Sequence, residues 1–266
     1  MRLPLYQVDA FASEVFRGNP AAVVPLESWL PDETMQAIAG ENNLAETAFL
    51  VPTGPARYHL RWFTPEVEID LCGHATLAAA FVLAERLGQT APEVTFDTRS
   101  GPLVVTREGD AYTLDFPSRP PRPLPRDPQI AVALGAEPTE LWLARDCMAV
   151  YASESEVRAL KPDMPKVQAL GVFAMIATAP ADPALSPGAD FVSRFFAPGA
   201  GIAEDPVTGS AHCTLVPYWA DRLHKTTLEA RQVSRRGGQL RCVLDGDRVR
   251  MTGRAVCYLE GEITVP

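Results

Sequence analysis

The sequence predicts an α+β protein of two similar halves, in each of which short strands enclose a buried helix. Strand-type patterns outnumber helical ones along the chain. The segment from Ala75 to Ala84 is apolar on every side, and a helix of that kind must be surrounded by protein. Two related segments also begin at Arg61 and Arg194, half a chain apart, which indicates an internal repeat.

The first half combines strand-type runs with two helices. An acidic first turn from Pro31 to Glu33 precedes Met35, Ile38 and Ala39 at amphipathic helical spacing. The apolar helix is predicted over Ala75 to Leu87, with Gly88 as its stop. The predicted strands are Leu3 to Phe11, Ala21 to Val24, Thr47 to Val51, Arg57 to Phe63, Glu93 to Thr98, Leu103 to Glu108 and Ala111 to Phe116.

The second half has the same combination of strand-type runs and a corresponding helix, but its sequence patterns are weaker. Its helix is predicted from Ser210 to about Leu223, and Pro217 in its interior should kink or restart it. Asp245 to Asp247 is typical of a hairpin turn. The predicted strands are Leu170 to Ala177, Phe191 to Phe196, Gln239 to Leu244, Arg248 to Met251, Ala255 to Tyr258 and Ile263 to Val265.

Prolines are concentrated between residues 116 and 128. Proline lacks a backbone donor and favours extended geometry, so this segment is typical of a semi-rigid linker. We therefore expect an N-terminal domain over 1–118, a linker over 119–128 and a C-terminal domain over 129–266, whose last strand is free to return to the N-terminal domain. One long loop inside a single domain is the alternative.

The repeat has three features in a shared order. Arg61 to Pro65 reads Arg-Trp-Phe-Thr-Pro, and Arg194 to Pro198 reads Arg-Phe-Phe-Ala-Pro. Each segment ends a strand-type run, crosses a loop and leads to a helix start rich in small residues, at Gly73-His74 and Gly209-Ser210. The shared order favours duplication over chance similarity.

Composition excludes several classes of protein. The balance of 24 basic and 33 acidic residues gives a net charge of −9, which argues against binding to a phosphate backbone. No apolar run reaches the length of a membrane span, and no signal-peptide pattern follows Met1. The five cysteines are odd in number and scattered, as in a reducing compartment. We expect a soluble cytoplasmic protein.

The two helix starts are the first candidate sites. A helix N-terminus leaves N–H groups unpaired and carries partial positive charge, so it suits an anionic ligand. Gly73-His74 forms one such start and Thr208-Gly209-Ser210 the other. Helix starts satisfied by their own caps are the alternative. The mirrored positions favour a small bound carboxylate.

Two carboxylates are candidates for acid–base chemistry. Glu46 directly precedes an apolar strand, and desolvation raises the pKa of a carboxylate toward the range of a general acid or base. A surface glutamate in a turn is the alternative. Asp205 precedes the second helix start, where a turn residue before proline is the alternative. Of the adjacent Glu204 and Asp205, we expect at most one to face a ligand.

Metal and nucleotide sites have little support. Cys72 and His74 in one half mirror His212 and Cys213 in the other, and such a set is known for zinc. Neighbouring helical residues diverge by about 100°, however, so we expect no metal. Cys72 is either a chemical group or a packing residue. Phosphate-binding glycine patterns are absent, so no nucleotide cofactor is expected.

Four motifs together resemble the PhzF-like phenazine-biosynthesis family, in the family's order and over essentially the whole chain. They are Gly18 to Ala21, Asn43 to Phe49, Cys72 to Leu77 and Glu204 to Ala211. The resemblance implies a diaminopimelate epimerase-like fold, in which two β-barrel-like, mostly antiparallel sheets each wrap a central helix, with the active site between them. It also implies isomerisation by proton transfer without a cofactor, and a homodimer.

The resemblance further assigns roles to residues. It implies catalytic roles for Glu46, His74 and Asp205, and substrate binding by Asn19, Gly73, Gly209 and Ser210. Cys72 occupies a place comparable to the first catalytic thiol of diaminopimelate epimerase. The second half has Pro206 to Gly209 where that enzyme carries its second cysteine, so a two-thiol racemase is not favoured.

The resulting hypothesis is an isomerase that moves a proton between carbons of a small carboxylate, with Glu46 as general acid and base. Two alternatives remain open at this stage. One is an epimerase or racemase of an amino-acid-like substrate, which uses Glu46 with Asp205 or Cys72. The other is a catalytically silent metabolite-binding protein that keeps the anion site.

Overall fold

A computed structural model describes all residues from Met1 to Pro266. The chain forms two compact units. Unit 1 comprises Met1–Asp115 and Thr252–Pro266, and unit 2 comprises Phe116–Met251. The long final strand therefore begins in unit 2 and ends in unit 1. None of the helices combines the length and the apolar character needed to cross a bilayer.

Unit 1 contains two helices among its strands. The helices are α1 (Asp32–Asn42) and α2 (Gly73–Glu85). The strands are β1 (Arg2–Ala10), β2 (Asn19–Pro25), β3 (Glu46–Gly54), β4 (Arg57–Phe63), β5 (Glu68–Ile69), β6 (Glu93–Thr98), β7 (Gly101–Glu108), β8 (Ala111–Pro117) and the end of β17 (Arg248–Thr264).

The strands of unit 1 close on themselves. β1 pairs antiparallel with β17 and β2, β3 with β4, and β6 with β7, which pairs with β8. Two parallel pairs, β2 with β3 and β4 with β6, interrupt this pattern, and the short β5 pairs with β4. β8 also pairs with β17 and completes the ring. The predicted barrel-like, mostly antiparallel sheet is confirmed in this unit.

The two helices of unit 1 occupy different environments. Every residue of α2 from His74 to Leu83 is buried, because the helix lies against β1, β2 and β3. The helix begins two residues earlier than its apolar pattern predicted and ends at Glu85. The amphipathic α1 buries its predicted apolar face, Met35, Ile38 and Ala39, in a separate cluster. Both helices predicted for this half are confirmed.

Unit 2 contains more helix than the sequence predicted. Its helices are α3 (Pro128–Leu134), α4 (Glu154–Ala159), α5 (Met164–Ala169) and α6 (Gly209–Leu223), with a 3₁₀ turn at Pro198–Ala200. Its strands are β9 (Arg122–Leu124), β10 (Glu140–Leu143), β11 (Cys147–Val150), β12 (Met175–Pro180), β13 (Phe191–Ala197), β14 (Ile202–Asp205), β15 (Thr227–Gln232), β16 (Gly238–Asp245) and the start of β17.

The pairings of unit 2 repeat those of unit 1. β10 and β11 are antiparallel, β11 and β12 parallel, and β12 and β13 antiparallel. β13 then pairs antiparallel with the short β14 and parallel with β15, which pairs antiparallel with β16. The apolar helix α6 takes the place of α2, and α3, α4 and α5 share a separate buried cluster. The predicted duplication of one α+β unit is confirmed.

The repeated sequence motif has the same structural task in both units. Arg61 donates two hydrogen bonds to Glu68 of β5, at 2.7 and 2.8 Å, and its guanidinium lies 5.2 Å from the Phe63 ring centre. Arg194 donates to Glu204 of β14 at 2.7 and 3.0 Å. Each arginine therefore fixes the short strand that leads to the central helix of its unit.

Pro217 does not restart α6, contrary to one expectation from the sequence. The helix is continuous from Gly209 to Leu223. A proline offers no N–H to the carbonyl four residues earlier, here that of Cys213. The N–H of Arg119 donates to that carbonyl at 2.8 Å. The released acceptor is thus satisfied by the proline-rich segment, and the helix tolerates the proline.

Other secondary-structure predictions for the second half were wrong in detail. The segment predicted as a strand from Leu170 is a loop, and β12 begins only at Met175. Three separate strands predicted after Arg248 are one strand, β17. The proline-rich segment includes the short β9, which pairs with β10. These differences arise because pairing partners far along the chain decide strand limits, and composition alone does not reveal them.

Candidate functional site

In unit 1, three elements bring four polar residues together. Asn19 begins β2, Glu46 begins the neighbouring parallel strand β3, and Cys72 and His74 flank the start of α2. All four side chains are buried, with at most 6% of each residue exposed. Adjacent parallel strands start at the same edge of a sheet, and this explains why residues distant in sequence meet here.

His74 is the centre of this group. Its Nε2 lies 2.9 Å from Glu46 Oε2, although the ring N–H direction does not point at that oxygen. Its Nδ1 lies 3.2 Å from the Asn19 amide nitrogen and 3.5 Å from Cys72 Sγ. Glu46 Oε2 and His74 Nε2 are both buried without a well-directed hydrogen-bond partner. A buried polar pair in this state is suited to a polar ligand.

Neighbouring residues and burial shift the pKa of His74 in opposite directions. Burial disfavours the imidazolium, whereas the neighbouring Cys72 and Glu46 favour it, and the pKa of His74 is raised well above 6.5. Burial, assisted by Glu46, raises the pKa of the Cys72 thiol to about 11. An imidazolium donates from both ring nitrogens, so with His74 in that form the Asn19 amide presents its oxygen to Nδ1.

The start of α2 has no side-chain cap. Cys72 is the residue before the helix, and its side chain makes no capping hydrogen bond. The helix has no acidic residue in its first turn to balance the partial positive charge. The N–H groups near Gly73 and His74 thus retain the character of an anion site.

Gly18 places Asn19 and permits no side chain. Its φ is +64°, and an added Cβ would lie 2.1 Å from the carbonyl oxygen of Ala10. We expect Gly18→Ala to destabilise the protein by about 2 kcal/mol or more, because it combines a left-handed backbone with a clash against main chain. Chemical denaturation measures the change. Gly88→Ala is the matched control, since Gly88 has φ +71° but open space around it. Equal losses of unfolding free energy in the two variants would contradict a role for the clash with the Ala10 carbonyl oxygen.

In unit 2, a second polar group surrounds the start of α6. Asp205 ends β14, and its carboxylate accepts a short hydrogen bond from the Thr208 hydroxyl. Gln232 accepts from the Thr208 N–H at 2.9 Å and donates to the Asp205 carbonyl at 2.7 Å. Asp205, Thr208 and Gln232 are all buried. Gln232 therefore holds the turn that precedes the helix.

The two adjacent acids of unit 2 have different partners. Glu204 is engaged by Arg194, as described above. Asp205 is directed to the helix start through Thr208. Ser210, in the first turn of α6, accepts a hydrogen bond from Arg145 at 3.1 Å, and Arg145 is also paired with the buried Asp146. Gly209 begins the helix, which again has no side-chain cap.

His212 is a structural residue in this arrangement. It is fully buried, its Nδ1 lies 2.8 Å from the Thr208 carbonyl oxygen, and its ring is 6.0 Å from that of Phe191. Burial lowers the pKa of His212 to about 4. A neutral ring that donates from Nδ1 to Thr208 fits both facts.

The low pKa of His212 predicts a loss of stability in acid. Below pH 6.5 the unfolded chain protonates this histidine, whereas the folded chain does so only near pH 4. Stability should therefore fall as the pH drops through this window, by up to about 1.4 kcal/mol per pH unit from this group. Urea denaturation across the window should show a smaller loss in His212→Gln, which does not titrate. Identical pH slopes in the two proteins would contradict the assignment.

Comparison with known proteins identifies the family of this chain. The PhzC-PhzF family model, described as phenazine biosynthesis-like protein, matches residues 8–261. The chain belongs to this family. The resemblance inferred from the four motifs is confirmed.

Relatives of the family align over nearly their whole length. A Pseudomonas aeruginosa protein named as an isomerase is 49% identical over 263 residues, which is 99% of both chains. A human phenazine biosynthesis-like domain-containing protein is 40% identical over 289 residues, 99% of this chain and 100% of the relative. A crystal structure of a PhzF-family protein from Enterococcus faecalis is 50% identical, covers 100% of both chains and has a TM-score of 0.96.

The fold extends beyond the family. A hydroxyproline epimerase from Agrobacterium vitis superposes with a TM-score of 0.60 over 98% of this chain and 92% of that one, at 14% identity. At this identity the likeness concerns the fold alone. The predicted diaminopimelate epimerase-like fold is confirmed.

The structure adds residues that the sequence did not single out. Gln232, Arg145 and Asp146 all contact the start of α6 or its neighbours. Gln232 ends β15, far along the chain from Thr208, and no local pattern marks it. Arg145-Asp146 reads as an ordinary turn between β10 and β11. Only long-range pairing brings these residues to the helix.

Proposed function

We propose that this protein is a cofactor-independent isomerase that moves a proton between carbons of a small carboxylate substrate. The observation that carries the proposal is the buried Glu46–His74 pair at the start of α2, whose facing atoms lack well-directed partners. Membership of the family and relatives named as isomerases support the same class of reaction.

Glu46 is the proposed proton carrier. Its carboxylate takes a proton from a substrate carbon, and the electron pair of the broken C–H bond delocalises into the substrate. The resulting carboxylic acid exchanges its proton with solvent and then protonates a second carbon, so Glu46 ends the cycle ionised. General acid–base catalysis of this kind contributes about 10²- to 10⁴-fold to a rate.

His74 has a different role in this scheme. Because its pKa is raised well above 6.5, it already holds its proton at neutral pH and does not serve as the base. The imidazolium instead stabilises negative charge that develops on the substrate, together with the N–H groups at the start of α2. Asn19 fixes the ring from the opposite side, at 3.2 Å from Nδ1.

Each unit has an uncapped helix start that suits a carboxylate. In unit 1 we assign Gly73 and Asn19 to such binding. In unit 2, taken by itself, we assign the N–H groups of Gly209 and Ser210, with Asp205 as a positioning group held by Thr208. Backbone donors at a helix N-terminus recognise carboxylates without any net positive charge on the protein.

Deuterium exchange tests the proposal. Small unsaturated or amino-acid-like carboxylates that co-purify with the protein, or that raise its melting temperature, are incubated with it in D₂O. An isomerase incorporates deuterium at a carbon distinct from the one deprotonated. Label confined to the original, inverted centre would identify an epimerase. Binding without any label would identify a silent metabolite-binding protein.

The role of Cys72 separates the isomerase from a thiol-dependent epimerase. With a pKa of about 11 the thiol is neutral and a poor base near pH 7. We therefore expect Cys72→Ala to keep at least about a tenth of the exchange rate, far above the loss that follows removal of a general base. The rate of label uptake measures it. A folded Cys72→Ala protein without exchange would favour the thiol-dependent reaction.

A further inference from the structure

We propose that Glu46, Cys72 and His74 form a binding site for a thiophilic divalent cation such as Zn²⁺, and that the bound ion blocks proton transfer. The site is distinct from the four-residue set that the sequence suggested, because it takes both its cysteine and its histidine from unit 1. The inhibitory consequence rests on the proposed function, whereas binding itself does not.

The three donors form a compact group. One carboxylate oxygen, one imidazole nitrogen and one sulfur all lie within 4.8 Å of one another. In a tetrahedral zinc site, bond lengths of about 2.0 to 2.3 Å place ligand atoms roughly 3.3 to 3.8 Å apart. Cys72 Sγ lies 3.5 Å from Nδ1 of His74, and Glu46 Oε2 lies 2.9 Å from Nε2, so the sulfur and the carboxylate contact different nitrogens of the ring. One ring nitrogen binds the ion, and the donor that contacts the other nitrogen has to turn toward it.

The chemistry of the donors selects the ion. A thiolate, an imidazole and a carboxylate are a mixed set that suits zinc, cobalt and cadmium, and it disfavours magnesium and calcium, which prefer oxygen. Three protein ligands leave a fourth position for water or for a carboxylate of a bound molecule. The Asn19 amide lies 3.2 Å from His74 Nδ1 and contacts the ring beside this set.

Metal binding is incompatible with the proposed catalysis at the same residues. Binding replaces the thiol proton of Cys72 and the ring proton of His74, so two protons are released for each ion. It also engages a Glu46 oxygen that otherwise carries the substrate proton. Affinity should therefore fall as the pH decreases, and the zinc form should not exchange protons with the substrate.

Cobalt spectroscopy of the full-length protein, first stripped with a chelator, tests the site without any substrate. We expect one Co²⁺ per chain, a thiolate-to-cobalt charge-transfer band in the near ultraviolet, and loss of that band when Zn²⁺ is added. Cys72→Ser should lose the band and at least about 100-fold in affinity, since even outer-shell partners contribute 10- to 100-fold. Cys257→Ser is the matched control, because Cys257 is the free thiol of unit 1 outside the group.

Failure of the metal site and failure of the proposed function give different results. If Cys72→Ser does not fold, as judged by its melting curve, Glu46→Gln supplies the second test and should weaken cobalt binding while it keeps the thiolate band. Absence of the band at saturating Co²⁺, or its loss in Cys257→Ser rather than Cys72→Ser, would overturn the metal site. Cobalt binding by a protein that never exchanges substrate protons would overturn the proposed function alone. We expect Zn²⁺ to stop exchange and a chelator to restore it.

Discussion

Replacement of Glu46 by glutamine should lower substrate proton exchange by about 10²- to 10⁴-fold and leave the fold intact. Glutamine has the shape of glutamate but neither accepts nor returns a proton at neutral pH. The fold should survive because glutamine keeps the size of the side chain and an amide oxygen in place of the carboxylate oxygen that lies 2.9 Å from His74 Nε2. Label uptake in D₂O and thermal melting, measured on the same preparation, give the two quantities.

Glu41→Gln is the matched control for this change. Glu41 lies in α1 of the same unit and is exposed, so the same loss of one charge occurs away from the buried group. Its exchange rate should equal that of the unaltered protein. Undiminished exchange in Glu46→Gln would remove Glu46 from the reaction, and equal losses in both variants would point to net charge as the cause.

The largest loss of stability is expected from Arg194→Ala in unit 2. The Arg194 side chain is only 12% exposed and forms a two-bond ion pair with Glu204. It also donates to the carbonyl oxygens of Val157 and Leu160 at 3.1 and 3.0 Å, where α4 ends. Its removal leaves a half-buried carboxylate and two carbonyls without their donor. We expect a loss of about 3 kcal/mol or more in the free energy of unfolding.

Arg61→Ala in unit 1 is the matched comparison for Arg194→Ala. Arg61 is 13% exposed and binds Glu68 in the same way, but Glu68 also contacts Arg99 at 2.7 Å. Its removal should therefore cost less. A double-mutant cycle of Arg194 and Glu204 in urea denaturation isolates the pair, with a coupling energy of about 1 to 3 kcal/mol expected. A coupling near zero would show that the ion pair is not the source of the loss.

The repeat shows how far local sequence predicts this fold. The similar five-residue segments that begin at Arg61 and Arg194 were enough to identify the duplication. The segments are similar because each arginine has the same structural role, an ion pair with a glutamate in the short strand that follows. The apolar α2 was predictable because burial on all sides leaves no polar stripe. The limits of β12 and β17 were not, since strand ends depend on partners elsewhere in the chain.

Pro217 illustrates a different limit of the sequence. Its consequence for α6 depended on whether another group would satisfy the Cys213 carbonyl. That donor, the N–H of Arg119, lies in the proline-rich segment, which composition alone presents as a linker. The helix could therefore be predicted, but its tolerance of the proline could not.

The candidate site also has features that the sequence predicts and features that only the structure shows. Glu46, Cys72 and His74 were recognisable from their motifs, and Gly18 from its place beside Asn19. The direct 2.9 Å approach of Glu46 to His74, and the opposite effects of burial and charge on the imidazole, require coordinates. Gln232 had no sequence signal, because an amide that braces a turn resembles any other glutamine in a strand.

The most direct test of the central account is the position of deuterium in the product, followed by NMR with the unaltered protein and with Glu46→Gln. We expect the unaltered protein to place solvent deuterium at a carbon other than the one that lost its proton. We expect Glu46→Gln, with an unchanged melting temperature, to place none there within the same time. Deuterium uptake by both proteins at equal rates, or uptake only at the carbon that lost its proton, would contradict it.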